Sequence, residues 1–275
     1  MTARRFIPAL AVAGLLFLGC DRAATTPLSP NGSSRITNGS IDGNAHPAVV
    51  LILMEERGIP AFRCTGTLIS PTVVLTAGHC TGAPGEFSGM RIFTESDVQN
   101  GNNNYPFAGP NAVEAKSWQA HPLYTSSAFF RHDVGVITLS KAVKLAADKY
   151  GKLPAVNELD ALQPGSATLF TAVGYGLQKI NPVFIEAEKI RMFAEPHLVQ
   201  INAPGFTGDF SMLLSNNAAT GGTCFGDSGG PNYLGSSSVI AGVTSFGLNG
   251  TCGGTGGVFR LDRQNVLDFV RRFLN

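Results

Sequence analysis

A rhythm of short apolar runs, rich in Val, Ile, Thr and Phe and separated by clusters of Gly, Pro, Asn and Ser, constrains this fold more than any other feature. "AVVLILM", "TVVLTA", "VGVITL", "ATLFTAVGYG" and "SVIAGVTSF" recur along the chain, with no internal repeat at a fixed period. Runs of this length between turn-forming residues read as β-strands, and many of them in succession read as a barrel or sandwich. Long amphipathic helical patterns are absent until "DRQNVLDFVRRFLN" (262–275), where apolar positions fall at helical spacing. The expectation is an all-β fold closed by a C-terminal helix. With 275 residues, 44% of them hydrophobic, the chain can bury a substantial core as one large domain or two small ones. A net charge of +1 gives no reason to expect nucleic acid as a partner.

The first residues differ from the rest. "MTARRF" is basic, and "IPALAVAGLLFLG" is apolar but too short to span a bilayer as a helix. Residues 1–20 therefore read as an export signal, and "FLGC" resembles a bacterial lipobox ending at Cys20. Residues 21–35, "DRAATTPLSPNGSSR", read as a flexible tether. Export implies an oxidising compartment, the cell envelope or the exterior, where cysteines can pair. The cysteine count is five, which is odd; lipid on Cys20 would leave Cys64, Cys80, Cys224 and Cys252. Four cysteines permit three connectivities, and the sequence alone does not choose among them. Local closure favours Cys64–Cys80 and Cys224–Cys252.

"TCFGDSGGP" (223–231) sets Asp227 beside Ser228 among glycines and satisfies the pattern G-x-S-x-G. In an α/β-hydrolase that pattern needs the order Ser, acid, His. All the histidines (46, 79, 121, 132 and 197) precede Ser228, which excludes that framework. The order His, Asp, Ser remains open. His79 closes "LTAGHC" at the end of an apolar run, and Asp133 heads "VGVITL", where burial of a carboxylate is tolerable only with partners.

"CTGTLISPTVVLTAGHC", "HDVGVITLSKAV", "GYG" (174–176), "GDSGGP" and "SFG" (245–247) resemble, in order, the signatures of the chymotrypsin/trypsin family of serine proteases. "AHPLY" (120–124) and "GVFRL" (257–261) add to the resemblance, which covers residues 36–275. It implies two six-stranded antiparallel β-barrels of the chymotrypsin type with a C-terminal helix. The expected division is 36–143 for the first barrel and 144–275 for the second barrel and helix. It also implies roles: Ser228 as nucleophile, His79 as general base and acid, Asp133 as the carboxylate orienting the imidazole. The N–H groups of Gly226 and Ser228 would form the oxyanion hole, and Ser245 would support Asp133. Gly247 would pair its backbone with an extended peptide.

By the same resemblance Asp227 is not the triad acid. "SSRITNG" (33–39) resembles an activation junction, in which cleavage after Arg35 frees an ammonium on Ile36 that pairs with Asp227. The pocket for the side chain preceding the scissile bond would be formed by Gly222, Thr223, Phe225, Ser245, Phe246, Gly247 and Gly257. Gly222, six positions before Ser228, stands where trypsin-like members carry Asp, so Arg or Lys is not the expected preference. An open uncharged slot favours a large apolar residue, with a small aliphatic one as the alternative. Such an enzyme should not activate itself, which implies a separate Lys/Arg-specific protease as a partner. Before that cut, a lipid on Cys20 would hold the precursor at a membrane. A binding protein that has lost catalysis is the competing class, and it normally shows a substituted triad. "ESDVQNGNNN" (95–104) is rich in oxygen ligands, but its spacing fits no defined loop motif. The expectation is thus a monomer acting on polypeptides, with no metal, cofactor or nucleic acid.

Overall fold

Residues 36–181, 184–203 and 207–274 are described by the structure, a computed structural model. The signal, tether, Cys20 and Arg35 assignments lie outside them. The first half comprises β1 (Ser40–Ile41), β2 (Val49–Glu56), β3 (Ile59–Ser70), β4 (Val73–Thr76), the single helical turn α1 (Gly78–Thr81), β5 (Gly89–Phe93), β6 (Ala112–Ala120) and β7 (Gly135–Leu139). Strands β2 to β7 close into a six-stranded antiparallel barrel in the order β2-β3-β4-β7-β6-β5. Val49–Met54 of β2 is buried at every position, because one face of the strand fills the barrel and the other is covered.

The second half comprises β8 (Gly165–Gly174), β9 (Lys179–Asn181), β10 (Phe184–Glu186), β11 (Met192–Ala194), β12 (His197–Ala203), β13 (Gly208–Asn216), β14 (Pro231–Leu234), β15 (Ile240–Gly247), β16 (Gly254–Arg260) and α2 (Gln264–Arg271). The order β8-β12-β13-β16-β15-β14 closes through a β8–β14 pairing into a second six-stranded antiparallel barrel. The long strand β8 also pairs with β11, and β11 with β1. Residues 40–41, grouped with the first barrel by sequence position, thus hydrogen-bond to the second barrel's sheet.

One apolar cluster reaches from Val50, Ile52 and Leu75 to Tyr175, Phe259 and Val266, and a separate one in the second half gathers Phe170, Leu198, Met212, Leu214 and Val258. Helix α2 buries Val266, Leu267, Phe269 and Val270, the i, i+3, i+4 face expected from its sequence. Disulfides join Cys64 to Cys80 and Cys224 to Cys252. Among the described residues no helix is long and apolar enough to cross a membrane.

In the Asn-rich loop the carboxylate of Glu95 accepts from the Asn102 N–H (2.9 Å), the Asn103 amide (2.5 Å) and the Asn111 amide (2.9 Å). Asp97 accepts from the Asn100 N–H at 2.9 Å. The oxygen-rich sequence is organised by its own amides.

Candidate active site

Antiparallel pairing of β4 with β7 sets Thr76 opposite Gly135. The C-terminal end of one strand therefore lies beside the N-terminal end of the other. His79 follows β4 on α1, Asp133 precedes β7, and the two side chains meet although 54 residues separate them. The His79 Nδ1–H donates to Asp133 Oδ2 at 2.9 Å and lies 3.1 Å from Oδ1, while the His79 backbone N–H donates to Oδ1 at 2.8 Å. Asp133 is wholly buried, and the Ser245 hydroxyl donates to its Oδ2 at 2.6 Å. Ser245 can reach it because β15 carries one extra residue there: Thr244 pairs with Val258 and Phe246 with Gly257. Such a bulge re-aims the extra side chain out of the strand's normal alternation.

Three donors on one buried carboxylate hold the imidazole in a single tautomer, leaving Nε2 as a proton acceptor. Burial on its own would depress the imidazole's pKa, but the charge of Asp133 and its hydrogen bond more than offset this and hold it above the usual histidine value. The ring keeps 28% of its surface open.

Ser228 lies on the turn that leads into β14, and that turn is tied to both barrels. Its carbonyl accepts from the Thr65 N–H at 2.8 Å, and Cys80 Sγ lies 3.5 Å from the same oxygen. The Thr65 hydroxyl donates to the Gly226 carbonyl at 2.9 Å. Gly229 N–H donates to Thr244 and Thr244 N–H to Gly230, at 2.8 and 2.9 Å. Gly226 has φ +97°, a conformation that side-chain-bearing residues rarely adopt. Among the described residues the N–H groups of Gly226 and Ser228 donate to no acceptor. Two unclaimed donors flanking a half-buried hydroxyl suit an oxygen that acquires negative charge.

Asp227 turns the other way. It is fully buried and accepts from the Gly176 N–H at 2.7 Å and the Cys224 N–H at 2.9 Å. Burial pushes its carboxyl up to about 6, against these bonds and the nearby Arg63 charge. Ile36 is also fully buried, against Met192 and Ala194. The Thr37 hydroxyl donates to the Gly222 carbonyl at 3.3 Å, so the segment after Ile36 leans on the chain entering the pocket.

A cavity of about 220 Å³ opens beside Ser228. Of the residues expected to form the substrate pocket, Thr223, Phe225, Ser245, Phe246 and Gly247 line this cavity, and Gly222 and Gly257 do not. A Cβ on Gly257 would meet the Phe246 ring at 2.3 Å, so Gly257 faces that side chain. The Ser245 bulge places Gly256 opposite Gly247, and Gly256 forms the wall instead. Gly222 is displaced by Asn216, whose side chain lies 2.3 Å from where its Cβ would stand. Asn216, buried and donating to the Thr223 carbonyl at 2.7 Å, contributes an uncharged amide to the cavity lining, with Thr255 and the Cys224–Cys252 bridge. No carboxylate contributes to that lining. Sequence reasoning missed Asn216 because no motif surrounds it, and mistook Gly257 for Gly256 because "TGGV" does not reveal which glycine faces the cavity.

A family profile described as Trypsin matches residues 36–268. Brachyurin of Leptuca pugilator is 29% identical over 193 residues, covering 69% of this chain and 77% of that protein. Human chymotrypsin-like elastase family member 3A is 28% identical over 233 residues, covering 80% and 81%. Among solved structures, HL collagenase superposes with a TM-score of 0.68 at 20% identity, over 86% of this chain and 97% of that one. Human heparin binding protein superposes with a TM-score of 0.64 at 20% identity, over 87% and 96%. These two likenesses bear on the fold. Two closed barrels, a buried carboxylate shared by His79 and Ser245, and a match along nearly the whole described chain lead to one assignment: the chain belongs to the trypsin family of serine proteases.

Proposed function

We propose that this protein is an exported serine endopeptidase whose nucleophile is Ser228. The reading rests above all on the Asp133 carboxylate, buried and held by both His79 and Ser245, with Ser245 lining the same cavity as Ser228. His79 Nε2 takes the Ser228 proton as Oγ bonds to the scissile carbonyl carbon. The resulting oxyanion accepts from the Gly226 and Ser228 N–H groups, and Asp133 stabilises the imidazolium. His79 then gives its proton to the leaving amine as the C–N bond breaks, and water repeats the cycle on the acyl-enzyme. The uncharged cavity favours a large apolar residue before the scissile bond. The preference is graded, since a hydrophobic pocket discriminates by only about 1–3 kcal/mol per methylene.

Cleavage after Arg35 would supply an ammonium to the buried Asp227, which lacks an ion-pair partner among the described residues. The cut would also free the catalytic part from a lipid on Cys20. Export is supported by the two disulfides; lipid attachment rests on the sequence of residues 1–20. The test is a fluorophosphonate label on the full chain after treatment with a Lys/Arg-specific protease. Labelling of Ser228, abolished by His79→Ala, is the expected result. An intact triad that takes no label would favour a binding protein that has lost catalysis. A peptide library on the labelled enzyme then distinguishes large apolar from small aliphatic preference.

A further inference from the structure

Arg63 stands beside the Gly226 turn, and Lys189 lies close enough to feel its charge; neither forms an ion pair among the described residues. Arg63, next to Cys64 on β3, has its Nε 3.1 Å from the point where a Cβ on Gly226 would lie. It is half-buried, and its Nη1 donates to the Ala187 carbonyl at a long 3.3 Å. Among the described residues no carboxylate lies within ion-pair distance of it; the nearby Asp227 is taken by backbone N–H groups. Lys189, also half-buried, sits over the Tyr105 ring at 5.8 Å. Its ammonium is held below the usual lysine value, first by burial and then by the charge of Arg63. Keeping like charges close and partly desolvated is unfavourable, and a carboxylate between them would relieve it.

The position of this pair relative to the cleavage chemistry identifies what would supply that carboxylate. The cavity for the residue before the scissile bond is walled by Thr223, Phe225 and Ser228, whereas Gly226 turns its Cα toward Arg63 and Gly176. The amine leaving the acyl group must face His79, which sits beside the Cys64–Cys80 bridge. A polypeptide leaving past that bridge would meet β3 where Arg63 precedes Cys64. Phe62, 53% exposed and edge-on to Phe87, precedes Arg63 on β3.

On the proteolytic reading above, we propose that Arg63, backed by Lys189, selects substrates with Asp or Glu among the first two residues after the scissile bond. The test compares peptides identical except for Glu or Gln at each of those positions, using the full chain treated with a Lys/Arg-specific protease. Glu should raise kcat/KM about tenfold at one position, as befits a charge-assisted contact. The ratio should fall toward one in Arg63→Gln and in high salt, and Arg63→Glu should favour Lys there instead. Because each ratio is internal to one variant, a general loss of activity does not mimic the result. Enzyme that takes up the fluorophosphonate yet cleaves Glu and Gln peptides equally at both positions overturns this inference and leaves the proteolytic reading standing. A Glu preference that survives Arg63→Gln also overturns it. A protein that takes no label and cleaves neither peptide overturns both readings.

Discussion

The imidazole of His79 and the carboxylate of Asp133 form the unit on which everything else at the site depends. Because Asp133 holds the imidazole's pKa above the ordinary value, near 6.5, a rate that needs neutral His79 should fall as pH drops through a midpoint above that value. Asp133→Asn removes the charge and forces a different tautomer. It should lower kcat by about 10⁴-fold. The acid limb of the kcat/KM profile should move to lower pH, since burial then acts on the ring unopposed. A pH profile of both enzymes checks the pair; an unmoved limb would mean that Asp133 does not set the His79 charge state. Both residues of this unit were legible in the sequence because each sits in a motif of its own. Asn216 and the supporting bulge at Ser245 depend on how distant strands align, and local pattern carries no record of that.

At the scale of elements, the approach of residues 36–48 to the second barrel is fixed by a buried ion pair. The side chains of Arg191 and Asp42 are both 0% exposed and bond at 2.9 Å. Arg191 also donates to the Gly43 and Val49 carbonyls at 2.7 and 2.8 Å, and Asp42 takes the His46 ring at 2.5 Å. Burial would raise the Asp42 carboxyl, but His46 and Arg191 outweigh it and keep the pKa low. Removing one partner leaves an uncompensated buried charge, so Asp42→Ala should destabilise by about 3–5 kcal/mol. Asp42→Leu combined with Arg191→Met should recover much of that in denaturant unfolding; equal losses in single and double variants would argue against the pair. The strands around it were readable from apolar runs. The pair itself was not, since 149 residues separate its members and each looks like an ordinary surface charge in sequence.

For the whole molecule, acid sensitivity should arise where the segment bearing Asp133 meets α2 and β13. The rings of His121 and His132 stack with centroids 4.9 Å apart, and Phe269 and Phe210 close over them edge-on. Burial first, then neighbouring charge, depresses both: His132 and Arg272 act on His121, and Arg131 acts on His132. A depressed folded-state pKa means that stability is complete above about 6.5, the unfolded histidine value, and is lost as pH falls through the folded values. His132→Phe keeps the aromatic packing and should reduce the fall in Tm between pH 8 and pH 5 by a few degrees. An unchanged fall would assign acid sensitivity to other groups. The general architecture of two barrels and a terminal helix was anticipated from strand rhythm and family motifs. That two histidines from different turns would share one stack was not.

The pairing of Ser40–Ile41 with Met192–Phe193 also bears on when the molecule can be finished. A ribosome releases residue 40 long before residue 193, so β1 has no mate until most of the polypeptide has been made. The leading end must wait, and the trailing half is one strand short of its full sheet without it. Synthesis therefore ends by joining the earliest residues to the late ones, and a truncated product lacking either end would leave a bare strand edge open to association with other chains.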